Sequence, residues 1–329
     1  MARISGTRFD DRMIARSTGD TYLGEKGDDT FVFSEDTIRN KFVGGLGADR
    51  VEGEIRVDEA DDLSEALVGM TFNGDRGVDT LHLTAIVEQA ELTLSLSDFG
   101  ASLKSVENLE LKLITSLSPG DFGDVTIRGG ARAEKLEFIP DNYNEERVAI
   151  NMGKGADTVY LGSATTVVNS AVVNGGGGAD TIINISGDDG TQLLGGTGND
   201  LIVTRGVSME RVKGGGGADH IQLEGSYRNF DYDIVSGNGG KDIFEIARVS
   251  DDPMAIITDF KRTKDKILIS DDSLSAEDLI VVAKGDSVGS EYGKLYLDLN
   301  DSTLVYRGDV IVDLDGAAVR SSDILFDIA

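Results

Sequence analysis

The sequence predicts an all-β protein: a parallel β-roll or β-solenoid of stacked coils, closed by a C-terminal β-rich cap. Three observations predict it. Gly accounts for 42 of 329 residues and Pro for only 3, so many backbone positions need positive φ in a chain unlike a flexible linker. Short apolar segments such as Thr181-Ile182-Ile183-Asn184-Ile185 alternate with period two and are flanked by glycine-rich turns. A glycine–aspartate element also recurs along the chain. Units this small bury their apolar row only by stacking on neighbours, at the strand spacing of about 4.8 Å.

The recurring element comes in four full copies: Gly44-Gly45-Leu46-Gly47-Ala48-Asp49-Arg50-Val51, Gly175-Gly176-Gly177-Gly178-Ala179-Asp180-Thr181-Ile182, Gly195-Gly196-Thr197-Gly198-Asn199-Asp200-Leu201-Ile202 and Gly214-Gly215-Gly216-Gly217-Ala218-Asp219-His220-Ile221. Looser copies centre on Asp29, Asp79, Asp157 and Asp242. Each of the eight keeps a glycine two residues before the aspartate and an apolar residue two after it, from Phe31 to Phe244. A lone Gly-x-Asp is only a tight turn, but eight in register are a repeat.

The spacing defines the coil. Aspartates at 157, 180, 200, 219 and 242 are 19 to 23 residues apart, one coil per step. Each coil holds a glycine turn, a short strand, a plain turn and a return strand, the last exemplified by Thr191–Leu194 and Val207–Val212. Asp11, Asp20 and Asp29 are nine residues apart, each with an apolar residue two later, but Asp11 and Asp20 lack the preceding glycine. Residues 83–150 lack the motif yet keep strand-like rows, such as Leu92–Leu96 and Val106–Leu113, and read as coils with other turns or as a flattened insertion. Helical periodicity is weak outside 58–68 and 275–282. Residues 246–329 read as a cap over open strand edges, with a hairpin of Lys294–Leu299 and Ser302–Arg307. The chain thus divides into 1–53, 54–150, 151–245 and 246–329.

Composition narrows the function. The formal net charge is −28, the reverse of what a nucleic-acid partner requires. So acidic a chain repels itself unless cations offset the charge. Cys is absent, which excludes disulfides, thiolate metal sites and cysteine nucleophiles. Trp is also absent and aromatic residues are only 6%, in keeping with a thin core of small aliphatic side chains. No N-terminal apolar stretch resembles a signal peptide, and no run is long enough to span a membrane.

The pattern G-G-x-G-x-D-x-U-x, with U apolar, resembles the RTX (hemolysin-type) calcium-binding nonapeptide. The stretch from Gly239-Gly240-Lys241-Asp242 through Ile257-Thr258-Asp259-Phe260 to Asp265-Lys266-Ile267 is similar to the end of the β-roll in serralysin-type secreted proteins. In that family the aspartate and the loop carbonyls of stacked turns enclose Ca²⁺. The resemblance implies Asp49, Asp180, Asp200 and Asp219 as ligands, with carbonyls of Gly45, Gly47, Gly176, Gly178, Gly196, Gly198, Gly215 and Gly217. Asp29, Asp157 and Asp242 follow, while Asp79 departs because Asp75 stands where the second glycine belongs. The chemistry suits a hard cation wanting six to eight oxygens, since glycines let carbonyls converge. One motif per coil predicts a single calcium column on one edge.

The resemblance also implies export by type I secretion machinery through an uncleaved C-terminal signal, here Asp323–Ala329, and folding on extracellular Ca²⁺. Polysaccharide at a cell surface and self-association are the other partners it suggests. Catalysis is not expected: only His82 and His220 are present, with no H-E-x-x-H. Gly285-Asp286-Ser287-Val288-Gly289 matches G-x-S-x-G but leads into a strand-like run, with no histidine downstream, and reads as a turn. The expectation is a secreted, non-enzymatic calcium-binding protein with a structural, surface-layer or adhesive role. The alternative is a secreted β-helix polysaccharide lyase or epimerase, to which Arg128, Arg132 and Lys135 would contribute.

Overall fold

The computed structural model describes every residue except 58–66, 88–91, 96–101, 116–123, 140–146, 163–169, 186–189, 206–208, 225–231, 250–253, 292–293, 308, 318 and 327–329. It is an all-β solenoid of long parallel sheets, with no α-helix among the described residues. The chain gathers into two compact units, Met1–Val159 and Tyr160–Ala329.

In the first unit one wall is the parallel set Arg3–Ser5, Thr21–Lys26, Lys41–Leu46, Thr71–Arg76 and Ser102–Lys104. The opposite wall runs through Arg12–Ile14, Thr30–Ser34, Arg50–Val57, Thr80–Val87, Asn108–Thr115 and Ala133–Ile139, again all parallel. Alternation decides which side chains meet: along Thr80–Val87 every second residue is buried, and Leu81, Leu83, Ala85 and Val87 are fully so. Phe42 of the first wall lies 5.5 Å from Phe31 and 6.2 Å from Phe33 of the second, ring centre to ring centre, so the walls share one apolar layer. Each such side chain contributes roughly 1.5–3 kcal/mol on burial.

The described strands of residues 83–150 stack as coils. Asn108–Thr115 pairs in register with Thr80–Val87 on one side and Ala133–Ile139 on the other. Their return strands are Leu92–Ser95, Val125–Arg128 and Val148–Asn151, mutually parallel.

The second unit repeats the plan with shorter strands. Val172–Gly177, Gln192–Thr197, Arg211–Gly216 and Asp233–Gly239 form one wall; Thr181–Asn184, Leu201–Thr204, His220–Leu223 and Ile243–Ile246 form the other. The apolar residue two after each aspartate is buried in all eight copies, Phe31, Val51, Leu81, Val159, Ile182, Ile202, Ile221 and Phe244. The return strand continues into its turn: Gln192–Thr197 takes in Gly195 and Gly196.

The C-terminal cap extends both walls. Lys266–Ile269 pairs with Ile324–Phe326, and Ala255–Ile257 pairs with Asp309–Asp313. The expected hairpin is present as Leu295–Asp298 antiparallel to Thr303–Tyr306. The helical reading of 275–282 is corrected: Ala276–Asp278 is a single 3-10 turn and Leu279–Val282 is a strand. Its apolar run pairs with Leu295–Asp298, and tertiary pairing overrides a weak local period. Residues 58–66 of the other helical reading, and 206–208 of the return strand Val207–Val212, lie outside the described residues.

Candidate functional site

The glycine turns stack along one edge of each unit. Within a turn, the second and fourth residues adopt positive φ, for example 108° at Gly196 and 129° at Gly198. Stacking adds a second requirement there. A Cβ on Gly198 would lie 1.4 Å from the carbonyl oxygen of Gly178 in the coil before, and one on Gly217 1.7 Å from that of Gly198. Only glycine lets these carbonyls come so near the next turn. The first glycine is needed for a different reason: the point where a Cβ of Gly195 would stand is 2.4 Å from both Asp200 Oδ2 and the carbonyl oxygen of Gly214. A carboxylate oxygen and a carbonyl from adjacent coils converge beside it.

The aspartates form a ladder. Each backbone N–H donates to Oδ1 of the aspartate in the following coil: Asp11 to Asp29 at 2.9 Å, Asp29 to Asp49 at 2.9 Å and Asp49 to Asp79 at 2.8 Å. In the second unit Asp180 donates to Asp200 at 2.8 Å, Asp200 to Asp219 at 3.0 Å, and Asp219 to Asp242 at 3.0 Å. These carboxylates are at most 2% exposed from Asp29 through Asp242. One oxygen is thus used. The other, Oδ2, is buried without a hydrogen-bond partner among the described residues at Asp29, Asp49, Asp79, Asp200 and Asp219.

The electrostatics follow from that placement. Burial, aided by the neighbouring aspartates of the stack, pushes the carboxyls of Asp49 and Asp219 up to about 6. Asp29, Asp79, Asp200 and Asp242 are raised for the same first cause. Asp20 is the contrast: the Ala2 N–H and the Ser17 hydroxyl hold it below the usual carboxylate range. It starts Thr21–Lys26 on the opposite wall, where its N–H donates to Asn40 Oδ1 at 2.7 Å. The nine-residue spacing of Asp11, Asp20 and Asp29 therefore alternates between the two edges rather than marking one.

The structure brings Asp29, Asp49, Asp79 and Asp157 onto the glycine-turn edge of the first unit and Asp180, Asp200, Asp219 and Asp242 onto that of the second. Asp79 sits in the ladder as fully as the rest, because Asp75 itself accepts the positive φ, 68°, of the glycine it replaces. Two ladder members escaped the sequence reading. Glu107 Oε2 accepts the Asp79 N–H at 2.9 Å, and Glu134 donates its N–H to Asp157 Oδ1 at 2.8 Å. Gly129-Gly130 five and four residues before Glu134 was the available signal: the Glu134 carboxylate accepts the Gly130 N–H at 2.9 Å, a longer acid closing a glycine turn.

Among the described residues no three histidine or acidic side chains gather into a metal ligand set. The oxygen set on offer is instead one carboxylate per turn with main-chain carbonyls. Buried, unpartnered Oδ2 atoms beside a neighbouring coil's carbonyl are donors of the kind a hard cation takes. The residues fit calcium.

The basic residues suggested for a catalytic role lie on different elements, with Arg132 in the turn between them. Arg128 ends Val125–Arg128 on one wall and Lys135 lies in Ala133–Ile139 on the other. The G-x-S-x-G stretch is a turn in which Asp286 N–H donates to the Ala283 carbonyl and Gly285 N–H to Asn300 Oδ1, not a strand-to-helix elbow; residues 292–293 after it lie outside the described residues. No helix of the described residues is long and apolar enough to cross a membrane. No family model matches the chain, and no curated protein matches it either.

Proposed function

We propose that this chain is a secreted RTX-type calcium-binding solenoid whose glycine turns are completed by extracellular Ca²⁺, with a structural, surface-layer or adhesive role rather than a catalytic one. One observation carries the reading: a column of buried aspartates, each with Oδ1 committed to the neighbouring coil, in which Oδ2 of Asp29, Asp49, Asp79, Asp200 and Asp219 has no hydrogen-bond partner among the described residues. Leaving a buried carboxylate oxygen uncompensated costs on the order of 1–3 kcal/mol each. Calcium, when bound, supplies the missing positive charge.

The chain's own residues prepare the place. Asp29 and Asp200, whose Oδ2 atoms converge with the first-glycine carbonyls of the next coil, would hold the ions together with the second- and fourth-position carbonyls of Gly45, Gly47, Gly176, Gly178, Gly196, Gly198, Gly215 and Gly217. Where calcium is scarce, as in cytosol, the raised proton affinity of the aspartates reflects how poorly the fold tolerates their charge. Outside the cell the ion offsets it, which couples folding to export. Ile324–Phe326 of the proposed secretion signal is a wall strand paired with Lys266–Ile269, so reading of that signal by the export machinery would precede folding.

Far-UV circular dichroism during a calcium titration from chelated solution tests this. The expected result is a cooperative gain of β-signal at sub-millimolar to millimolar calcium, abolished or strongly right-shifted in Asp200→Ala plus Asp219→Ala. A protein equally folded and equally stable with and without calcium would overturn the reading.

A further inference from the structure

The glycine column of the second unit ends at Gly237-Asn238-Gly239-Gly240, and the chain that follows is built differently. Asp259 takes over the next coil's backbone contacts: Oδ1 accepts the Gly237 N–H at 2.9 Å and Oδ2 the Asn238 N–H at 2.7 Å. Asp265 continues the ladder, accepting the Asp242 N–H at 3.2 Å through Oδ1 and the Lys261 N–H at 2.7 Å through Oδ2. In the turn before Asp265, Phe260, Lys261 and Thr263 stand at the first, second and fourth positions that the full copies of the motif fill with glycine.

The Lys261 ammonium donates to the carbonyl oxygen of Asn238 and lies 3.7 Å from the Asp259 carboxylate. Asn238 is in register with Gly215, and Gly215 with Gly196. Lys261 therefore binds the same carbonyl that, one and two coils earlier, is a proposed ion ligand. A carbonyl oxygen and a carboxylate face a cation there, and the cation belongs to the chain.

We propose that Lys261 is a tethered cation that takes the place of a divalent ion at the last glycine turn, so that this turn is locked without calcium and the metal column stops below it. The inference rests on the calcium reading of the preceding turns. Its physical content is simple: a covalently attached ammonium needs no ion from solution, so the cap can order first and present a finished edge on which the preceding coils stack.

The test is amide hydrogen exchange on the full chain, with and without calcium, joined to a count of bound ⁴⁵Ca²⁺ by flow dialysis, for wild type, Lys261→Gln and Lys261→Arg. In chelator the wild-type amides of Gly237 and Asn238 should stay protected, while those of Gly195, Gly196, Gly214 and Gly215 exchange at least about ten-fold faster than in calcium. Lys261→Gln should lose about ten-fold protection at Gly237 and Asn238 in chelator, recover it in calcium and bind one more ion; Lys261→Arg should behave as wild type. An unchanged ion count and unchanged protection in Lys261→Gln, with normal calcium binding elsewhere, would overturn the lysine's role alone. A wild type that binds no calcium would instead overturn the calcium reading and, with it, any substitution for calcium.

Discussion

Among the described residues, the glycine-turn coils of 172–246 and the motif-free coils of 80–151 are both built of parallel strands paired in register, and differ in how the chain turns. In the first set the acid is aspartate and the turn is glycine at first, second and fourth positions, as in Gly195, Gly196 and Gly198. In the second, the Glu107 carboxylate accepts the Asp79 N–H as a ladder aspartate would, whereas the Glu134 carboxylate turns back to the Gly130 N–H of its own turn while its backbone N–H donates to Asp157. The comparison separates two jobs that the repeat motif runs together. Joining coil to coil needs only parallel strands and an acid that accepts an N–H. Bringing carbonyl oxygens of successive turns together needs glycine.

The two kinds of coil differ most at the glycines. Gly198→Ala places a methyl 1.4 Å from the Gly178 carbonyl oxygen at φ 129°, while Gly216→Ala meets nothing within 4 Å. Gly198→Ala should destabilise by at least about 3 kcal/mol, because backbone must move in two coils. Gly216→Ala should stay within about 0.5 kcal/mol of wild type. Chemical denaturation of both variants in saturating calcium measures the difference. Equal effects would show that turn stacking does not depend on close carbonyl approach.

Much of this was legible in the sequence, and the reasons are physical. A period-two row with one aspartate per coil specifies which side chains face inward, so the buried set from Phe31 to Phe244 could be read directly. The hairpin Leu295–Asp298 with Thr303–Tyr306 was legible for the same reason. What stayed hidden has no local pattern. Glu107 does a ladder aspartate's work with a different acid, and Asp259 and Lys261 cap the last turn by contacts that depend on where the chain folds back. Nor does spacing reveal that Asp20 and Asp29 lie on opposite edges; it gives the interval but not the side.

Asp49 and Asp219 titrate near 6 when folded, against about 3.9 in an unfolded chain. The folded state therefore binds more protons between these values, so this contribution to stability is complete below about 4 and fades as pH rises through about 6. Chelated protein should melt several degrees higher at pH 5 than at pH 7.5. Protons and calcium compete for the same carboxylates, so calcium should raise the melting temperature more at pH 7.5 than at pH 5. Glu110 runs the other way: Arg50 and His82 on the solvent face of its sheet hold it below the usual range, so it favours folding above that range and loses this as pH falls. A scan by differential scanning calorimetry with and without chelator reads both signs. Chelated protein that loses stability on going from pH 7.5 to pH 5 would mean that the ladder carboxylates are not under the strain their burial implies.

The smallest expected effect lies at the second turn position, where Gly45, Gly176, Gly196 and Gly215 contrast with Glu25, Asp75 and Asn238 at φ of 80°, 68° and 62°. A side chain in this left-handed region costs roughly 1 kcal/mol, least for asparagine and more for glutamate. Glycine removes that strain but has a more disordered unfolded chain, which returns about half of the gain. Glu25→Gly should therefore stabilise by about 0.5 kcal/mol and Asn238→Gly by close to nothing. Calcium binding should be unchanged in Glu25→Gly, since the ligand proposed at this position is the carbonyl and not the side chain. A fall in calcium affinity in Glu25→Gly, measured by isothermal titration, would assign its carboxylate to the ion and explain why a strained glutamate stands where glycine fits better.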